Sequence, residues 1–244
     1  MGLPISVEVS LLAAAALIAS TVAAVAGTGG AIILLPLLVA TLGVRDGVPA
    51  YTVAQLIGNL SRVYLNRREI RLDVVRWFAL GAVPLALVGG LLFARTGEGV
   101  LRQLLGAFLL ASVLWRRLRR RPIGSFPASR FTLIGAAFAL VSGLVGSGGP
   151  FLAPFYVTFG LVRGVFIGTE ATGTAIMHVA KLGAYGSGGV LSGRAIVIGL
   201  LLGPLMVLGS RLGKSIVDRL SPRAFLTVID TVLLVFGLFL LLRG

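Results

Sequence analysis

Apolar stretches fall near 7–26, 29–43, 48–65, 74–94, 99–115, 131–145, 149–161, 165–185, 195–213 and 224–242, with most of the charge in the short segments between them. Crossing a bilayer as a helix takes roughly 20 apolar residues, so this spacing predicts about eight to ten crossings. Each stretch is predicted helical, because an open strand cannot satisfy its backbone in hydrocarbon. Two stretches, 29–43 and 149–161, are short. Each follows a glycine-rich break and holds proline (Pro36; Pro150 and Pro154), so they are predicted as half-helices or re-entrant pieces. The fold class on this pattern is an all-α polytopic transmembrane bundle of about ten segments.

The two short stretches expose an internal repeat. Gly27-Thr28-Gly29-Gly30 opens the first and Gly146-Ser147-Gly148-Gly149 the second, a separation of 146 − 27 = 119. The text that follows is also similar, AIILLPLLVATLGV against PFLAPFYVTFGLV. Further on, GAVPLALVGG matches LGPLMVLGS, with Pro84 and Pro204 separated by 204 − 84 = 120. Gly43 and Gly160 would align at 160 − 43 = 117, so the register drifts slightly. The organisation predicted is a first transmembrane repeat over 1–115, a basic linker over 116–130 and a second repeat over 131–244.

Charge sets the expected topology. The chain has 22 Lys and Arg against 8 Asp and Glu, net +14, which in a soluble domain would suggest nucleic acid. Here 57% of residues are hydrophobic, 12% charged, and mean hydropathy is +1.03. The cations sit in loops between apolar stretches, so they read as topology signals and contacts to anionic headgroups, not as a nucleic-acid surface. The linker carries Arg116, Arg117, Arg119, Arg120, Arg121 and Arg130, and is therefore expected in the cytoplasm. The 66–73 loop, with Arg67, Arg68 and Arg71, falls on the same side. Arg211, Lys214, Arg219 and Arg223 in the 211–223 loop fall there too only if each half crosses five times. An odd number of crossings inverts the second half, so inverted repeats with both termini outside are expected. Leu11–Ala26 ends in small residues like a signal peptide, but no positive segment precedes it and Glu8 is the only charge there, so it reads as a retained first span.

Polar residues inside the stretches narrow the chemistry, because such groups are costly in hydrocarbon and usually face a cavity or a partner. Thr52, Gln55, Asn59 and Arg62 share one helical face of the third stretch; Glu170, Thr174, His178 and Lys181 share one face of the eighth. A shift of 119 superposes Gln55 on Thr174, Asn59 on His178 and Arg62 on Lys181. Two readings compete. Such groups often only hold membrane helices together, and Arg62 and Lys181 are long enough to snorkel. Alternatively, the paired stripes line an anion site. Helices that begin at Gly27–Gly30 and Gly146–Gly149 would turn unpaired amides and positive dipole ends into it, with Thr28 and Ser147 adding hydroxyls. A lone histidine excludes a multi-histidine metal site and the absence of cysteine excludes a thiolate one, so neither metal nor cofactor is expected.

The motifs GTGGAIILLPLL and GSGGPFLAPF, each followed by a Thr-containing helix (AYTVAQLIGN; GTEATGTAIM), resemble the sulfite exporter TauE/SafE family of membrane permeases, over nearly the whole chain. The resemblance implies transport of small sulfur-containing anions such as sulfite, sulfonates or sulfoacetate, usually outward across the bacterial inner membrane, with the two Gly-rich motifs as site elements. The reading from the residues adds Arg62, His178 and Lys181 for the anionic head, Gln55, Asn59 and Thr174 for neutral hydrogen bonds, and Glu170 or His178 for proton coupling. The expected partners are a small anion and the lipid bilayer, and a homodimer is compatible with them. No GxxxxGK[ST] run is present, which argues against an ATP-driven pump within the chain. An intramembrane enzyme acting on a lipid phosphate and an anion channel are the rival classes; the enzyme has only Glu170, His178 and nearby hydroxyls to work with, so a non-enzyme is expected.

Overall fold

The computed structural model describes residues 5–26, 30–118, 126–147, 152–161 and 163–217. The described chain is helical: α1 Ile5–Ala26, α2 Gly30–Leu65, α3 Leu72–Arg95, α4 Glu98–Leu118, α5 Phe131–Val145, α6 Ala153–Thr158, α7 Arg163–Ser187 and α8 Gly193–Val217. One 3-10 turn, Ala128–Arg130, leads into α5. The expected last stretch, 224–242, and with it Asp230, lies outside the described residues, as do Asp218, Arg219 and Arg223.

Both expected interruptions are present. Helix α1 stops at Ala26 and α2 starts at Gly30, while α5 stops at Val145 and α6 starts at Ala153. The two short stretches nevertheless differ. The first is one arm of α2, which bends at Gly43 and continues to Leu65; the second is the separate six-residue α6. Gly43 adopts φ 78, ψ 170, and Gly160, just past α6, adopts φ 91. The two glycines that the repeat brings near each other in sequence thus both take a conformation L-residues avoid. A region around φ 78, ψ 170 is essentially reserved for glycine and costs other residues about 1–3 kcal/mol. Gly43→Ala is therefore expected to destabilise by about that amount in a detergent thermal-unfolding assay. Gly97→Ala, where an added Cβ meets nothing within 4 Å, is expected to be near neutral.

Among the described residues four helices are long and apolar enough to cross a membrane: Ile33–Leu65, Leu72–Arg95, Ala128–Val145 and Gly193–Leu212, with Ser10–Ala24 a shorter apolar one. Helix α7 falls outside this set because it carries the polar stripe Glu170, Thr174, His178 and Lys181 within its length. The outer surface is apolar, with Leu133 73% and Leu201 70% exposed. The polar stripes are inside. This inside-out arrangement is what a lipid solvent demands.

Helix α3 packs along α5 and α1 along α8; α2 contacts α8 and α7, and α3 contacts α7. Two apolar cores result. One gathers Leu34, Leu35, Leu38, Leu101, Leu105 and Met206. The other is aromatic, built on Phe78, Phe131, Tyr156 and Phe166. Rings pack there at tilted angles: the Phe131 and Tyr156 centroids are 4.8 Å apart with their planes at 47°. At the surface Asp73, in the first turn of α3, pairs with Arg71 at 2.7 Å. Arg102 meets Glu98 at 3.4 Å. Asp46 accepts a hydrogen bond from Ser192 at 2.6 Å, tying the bend of α2 to the start of α8.

Candidate functional site

Helices α2 and α7 cross at the centre of the bundle and present their polar stripes inward. Thr52, Gln55, Asn59, Arg62, Glu170, Thr174, His178 and Lys181 are all buried. Arg62 and Lys181 do not snorkel. Arg62 lies close enough to both Glu170 and His178 for direct charge interaction through the apolar interior, and His178 also feels Lys181. The two stripes therefore form one cluster.

Each cation is held by the C-terminal end of an interrupted helix. The Arg62 guanidinium donates through Nη1 to the Ala23 carbonyl in the last turn of α1, 3.0 Å away, and through Nη2 to Asn59 Oδ1. Lys181 Nζ donates to the Gly146 carbonyl at 3.0 Å and to Ser142 Oγ at 3.2 Å, at the end of α5. Ala23 and Ser142 are 142 − 23 = 119 apart, the separation of Arg62 from Lys181. Carbonyls at a helix C-terminus lack intrahelical partners and carry the negative end of the dipole, so a cation there is electrostatically favoured. Arg45 does the same for α3, donating to the carbonyls of Ala94 at 3.0 Å and Thr96 at 2.5 Å.

Around the cations lies a hydrogen-bonded shell. Gln55 Nε2 donates to the Tyr51 hydroxyl at 2.8 Å, and Tyr51 also hydrogen-bonds with Ser147. Gln55 sits against the first turn of α2: a Cβ on Gly30 would lie 3.1 Å from Nε2 and 2.8 Å from the Ala19 carbonyl oxygen. The Thr174 hydroxyl donates to the Glu170 carbonyl at 2.8 Å. The Tyr185 hydroxyl donates to the Gly143 carbonyl at 2.7 Å and meets Thr52. Among the described residues four buried side-chain polar atoms have no hydrogen-bond partner: Arg62 Nε, Glu170 Oε2, His178 Nδ1 and the Tyr156 hydroxyl. Buried polar atoms are nearly always paired, so each of these four calls for an explanation.

Of the sequence-predicted site residues, Gln55, Asn59, Arg62, Glu170, Thr174, His178 and Lys181 thus converge, with Gly30, Gly146 and Ser147 beside them. Gly27, Thr28, Gly29, Gly148 and Gly149 lie outside the described residues. The second break is followed only by the six-residue α6, which sums few peptide dipoles, whereas α2 runs from Gly30 to Leu65. Tyr51, Tyr156 and Ser142 were not predicted. Tyr51 had a signal, since it lies one turn before Gln55 on the same face and 170 − 51 = 119 from Glu170. Ser142 had none, because its partner position holds an alanine whose carbonyl does the equivalent work.

A lipid-facing helical bundle with interrupted helices around a buried polar cluster defines a membrane transporter. Residues 12–240 match the family described as Sulfite exporter TauE/SafE, and the chain belongs to that family. It is also similar to the protein named "Probable membrane transporter protein YjnA" of Bacillus subtilis (strain 168), at 25% identity over 242 residues, 87% of this chain and 91% of that one. No solved structure matches the chain.

Proposed function

We propose that the chain is a secondary transporter that exports small sulfur-containing anions, such as sulfite, sulfonates or sulfoacetate, across the bacterial inner membrane by alternating access. The observation that carries this is the charge inventory of the buried cluster. Among the described residues the buried charged side chains are Arg62, Lys181 and Glu170, a surplus of one positive charge with His178 neutral. An uncompensated buried charge is expensive, so an anion that completes the balance is held strongly and specifically by charge. Arg62 Nε and His178 Nδ1 point to its recognition by hydrogen bonds. The sulfur-anion class follows from the family's description.

Alternating access rests on the duplication. Under the shift of 119, α1 corresponds to α5, α3 to α8, and the second arm of α2 to α7. The contact of α3 with α5 then becomes that of α8 with α1, and α3 with α7 becomes α8 with α2, while α2 with α7 maps onto itself. Pairings that exchange in this way are expected of two halves about a pseudo-twofold axis, which can rock about the central α2–α7 crossing. An inside-negative potential favours anion export by about 2.3 kcal/mol per charge per 100 mV, with no nucleotide needed.

Two measurements test the reading. Proteoliposomes with an imposed potential are expected to move sulfite or sulfoacetate with saturable kinetics; no flux overturns the proposal, and non-saturating conductance in planar bilayers assigns a channel. Tags on the two termini are expected to report the same, outer face, and opposite faces would remove the inverted repeat.

A further inference from the structure

Glu170 stands apart from the other charged groups of the cluster. Arg62 and Lys181 are each satisfied by a helix end, but one carboxylate oxygen of Glu170, Oε2, is buried with no hydrogen-bond partner. No cation lies within ion-pair distance of it among the described residues, although Arg62 is near enough to act at longer range. An ionised carboxylate in that setting is costly. The groups facing it are Tyr51 and Arg62 from α2, Tyr156 from α6, and Thr174 from its own helix, while His178 and Lys181 lie two and three turns further along α7. Where α3 approaches, Arg71 and Asp73 are paired with each other at the surface.

We propose that Glu170 is the proton-binding group of this transporter, and that the proton on Glu170 and a dianionic substrate beside it are bound together. The inference rests on the anion-site reading above. With Glu170 ionised the buried surplus is one positive charge; with Glu170 protonated it is two, which matches a dianion. The carboxylate and a bound anion repel each other across an apolar interior, and a proton on Oε2 removes that repulsion. By linkage the preference is mutual: the proton strengthens anion binding and the anion strengthens proton binding. His178 is the rival, because its Nδ1 is also unpartnered. However, a neutral imidazole needs no counter-charge when buried, whereas a carboxylate does. A dianion carried with one proton still bears net negative charge, so the membrane potential still drives it outward.

The test is calorimetric binding of sulfoacetate to the full-length protein in detergent between pH 6 and 9, where both acid groups of the ligand stay ionised. Wild-type affinity is expected to fall at least tenfold across this range. The binding heat should vary with buffer ionisation enthalpy as one proton is taken up. Glu170→Gln mimics the protonated carboxyl, so it should bind as tightly at pH 9 as wild type does at pH 6, with no proton uptake. His178→Gln, which alters a group proposed to hydrogen-bond the anion, should bind more weakly at every pH while keeping the wild-type dependence of affinity on pH. An unchanged profile in Glu170→Gln, or a profile lost in His178→Gln, would overturn the assignment to Glu170 while leaving the anion site standing. If Glu170→Gln does not fold, wild-type proton uptake that persists both in His178→Gln and in Lys181→Arg, whose guanidinium does not titrate in this range, supports the proposal, and its absence from wild type sinks it. No sulfoacetate binding by wild type at any pH would overturn the anion site and this inference together.

Discussion

Lys181→Met is expected to reduce anion transport by about ten- to a hundredfold, the larger part of it in transport per folded molecule. The Lys181 side chain is fully buried, and among the described residues its ammonium reaches Ser142 Oγ, the Gly146 carbonyl and the face of the Tyr185 ring, 5.9 Å to the centroid. Two opposing effects act on stability. Losing a charged donor leaves the Gly146 carbonyl unsatisfied, at about 1–3 kcal/mol. Removing a buried cation also relieves its desolvation, which can offset much of that cost. The net change in unfolding should therefore be small, within about 2 kcal/mol. Transport has no such offset. Hydrogen bonds and charge contacts to an ion are worth about 1.5–3 kcal/mol, and every 1.4 kcal/mol is tenfold. The measurement is initial flux in proteoliposomes normalised to folded protein, beside thermal unfolding. Lys181→Arg retains the charge and should recover part of the flux. A large loss of stability with normal flux per folded molecule would show that Lys181 only caps α5.

The same residue explains why a cation is placed here at all. A helix that stops within a membrane leaves carbonyls that neither water nor lipid can satisfy. Glycine-rich breaks after α1 and α5 create this demand twice, and Arg62 and Lys181 answer it twice, from equivalent positions on α2 and α7. Stopping the helices, burying the cations and acquiring a positive cluster are thus one structural event. In the proposed function the same event supplies the charge of an anion site without separate recruitment, so a packing role of Arg62 and Lys181 and the proposed binding role do not exclude each other.

How far the sequence was legible follows the physics of each element. The helices, the breaks and the two stripes were readable because lipid forces apolar periodicity and makes every internal polar group conspicuous. Gln55, Asn59, Glu170, Thr174, His178 and the two cations were found this way. The bend at Gly43 was not separable from a chain break, since a helix arm of that length ends and resumes with the same residue types. The partners of Arg62 and Lys181 were illegible for a different reason: the acceptors are mainly backbone carbonyls, which every residue carries. The pairing of α3 with α5 was also hidden, because lipid-facing and helix-facing apolar residues look alike without a buried-to-exposed contrast.

That seam carries the largest stability effect expected in the molecule. Gly81→Leu should abolish folded, monodisperse protein in detergent. A Cβ at Gly81 would lie 1.9 Å from the Thr132 carbonyl oxygen, and one at Gly135 would lie 2.4 Å from the Phe78 carbonyl oxygen, so α3 and α5 touch through their backbones. The obstacle is main chain on both sides and cannot rotate away like a side-chain tip. Separating the helices to admit even a methyl would also disturb the Thr132 hydroxyl, which donates to the Trp77 carbonyl at 3.0 Å. With no hydrophobic force between helices in lipid, association depends on this close packing, so its loss is not compensated elsewhere. Gly81→Ala should already lower the unfolding temperature strongly, and Gly193→Ala, whose Cβ meets nothing within 4 Å, should leave it unchanged. Size-exclusion profiles and thermal unfolding of the three variants decide the matter: a stable Gly81→Leu protein would mean that α3 and α5 do not meet at this seam.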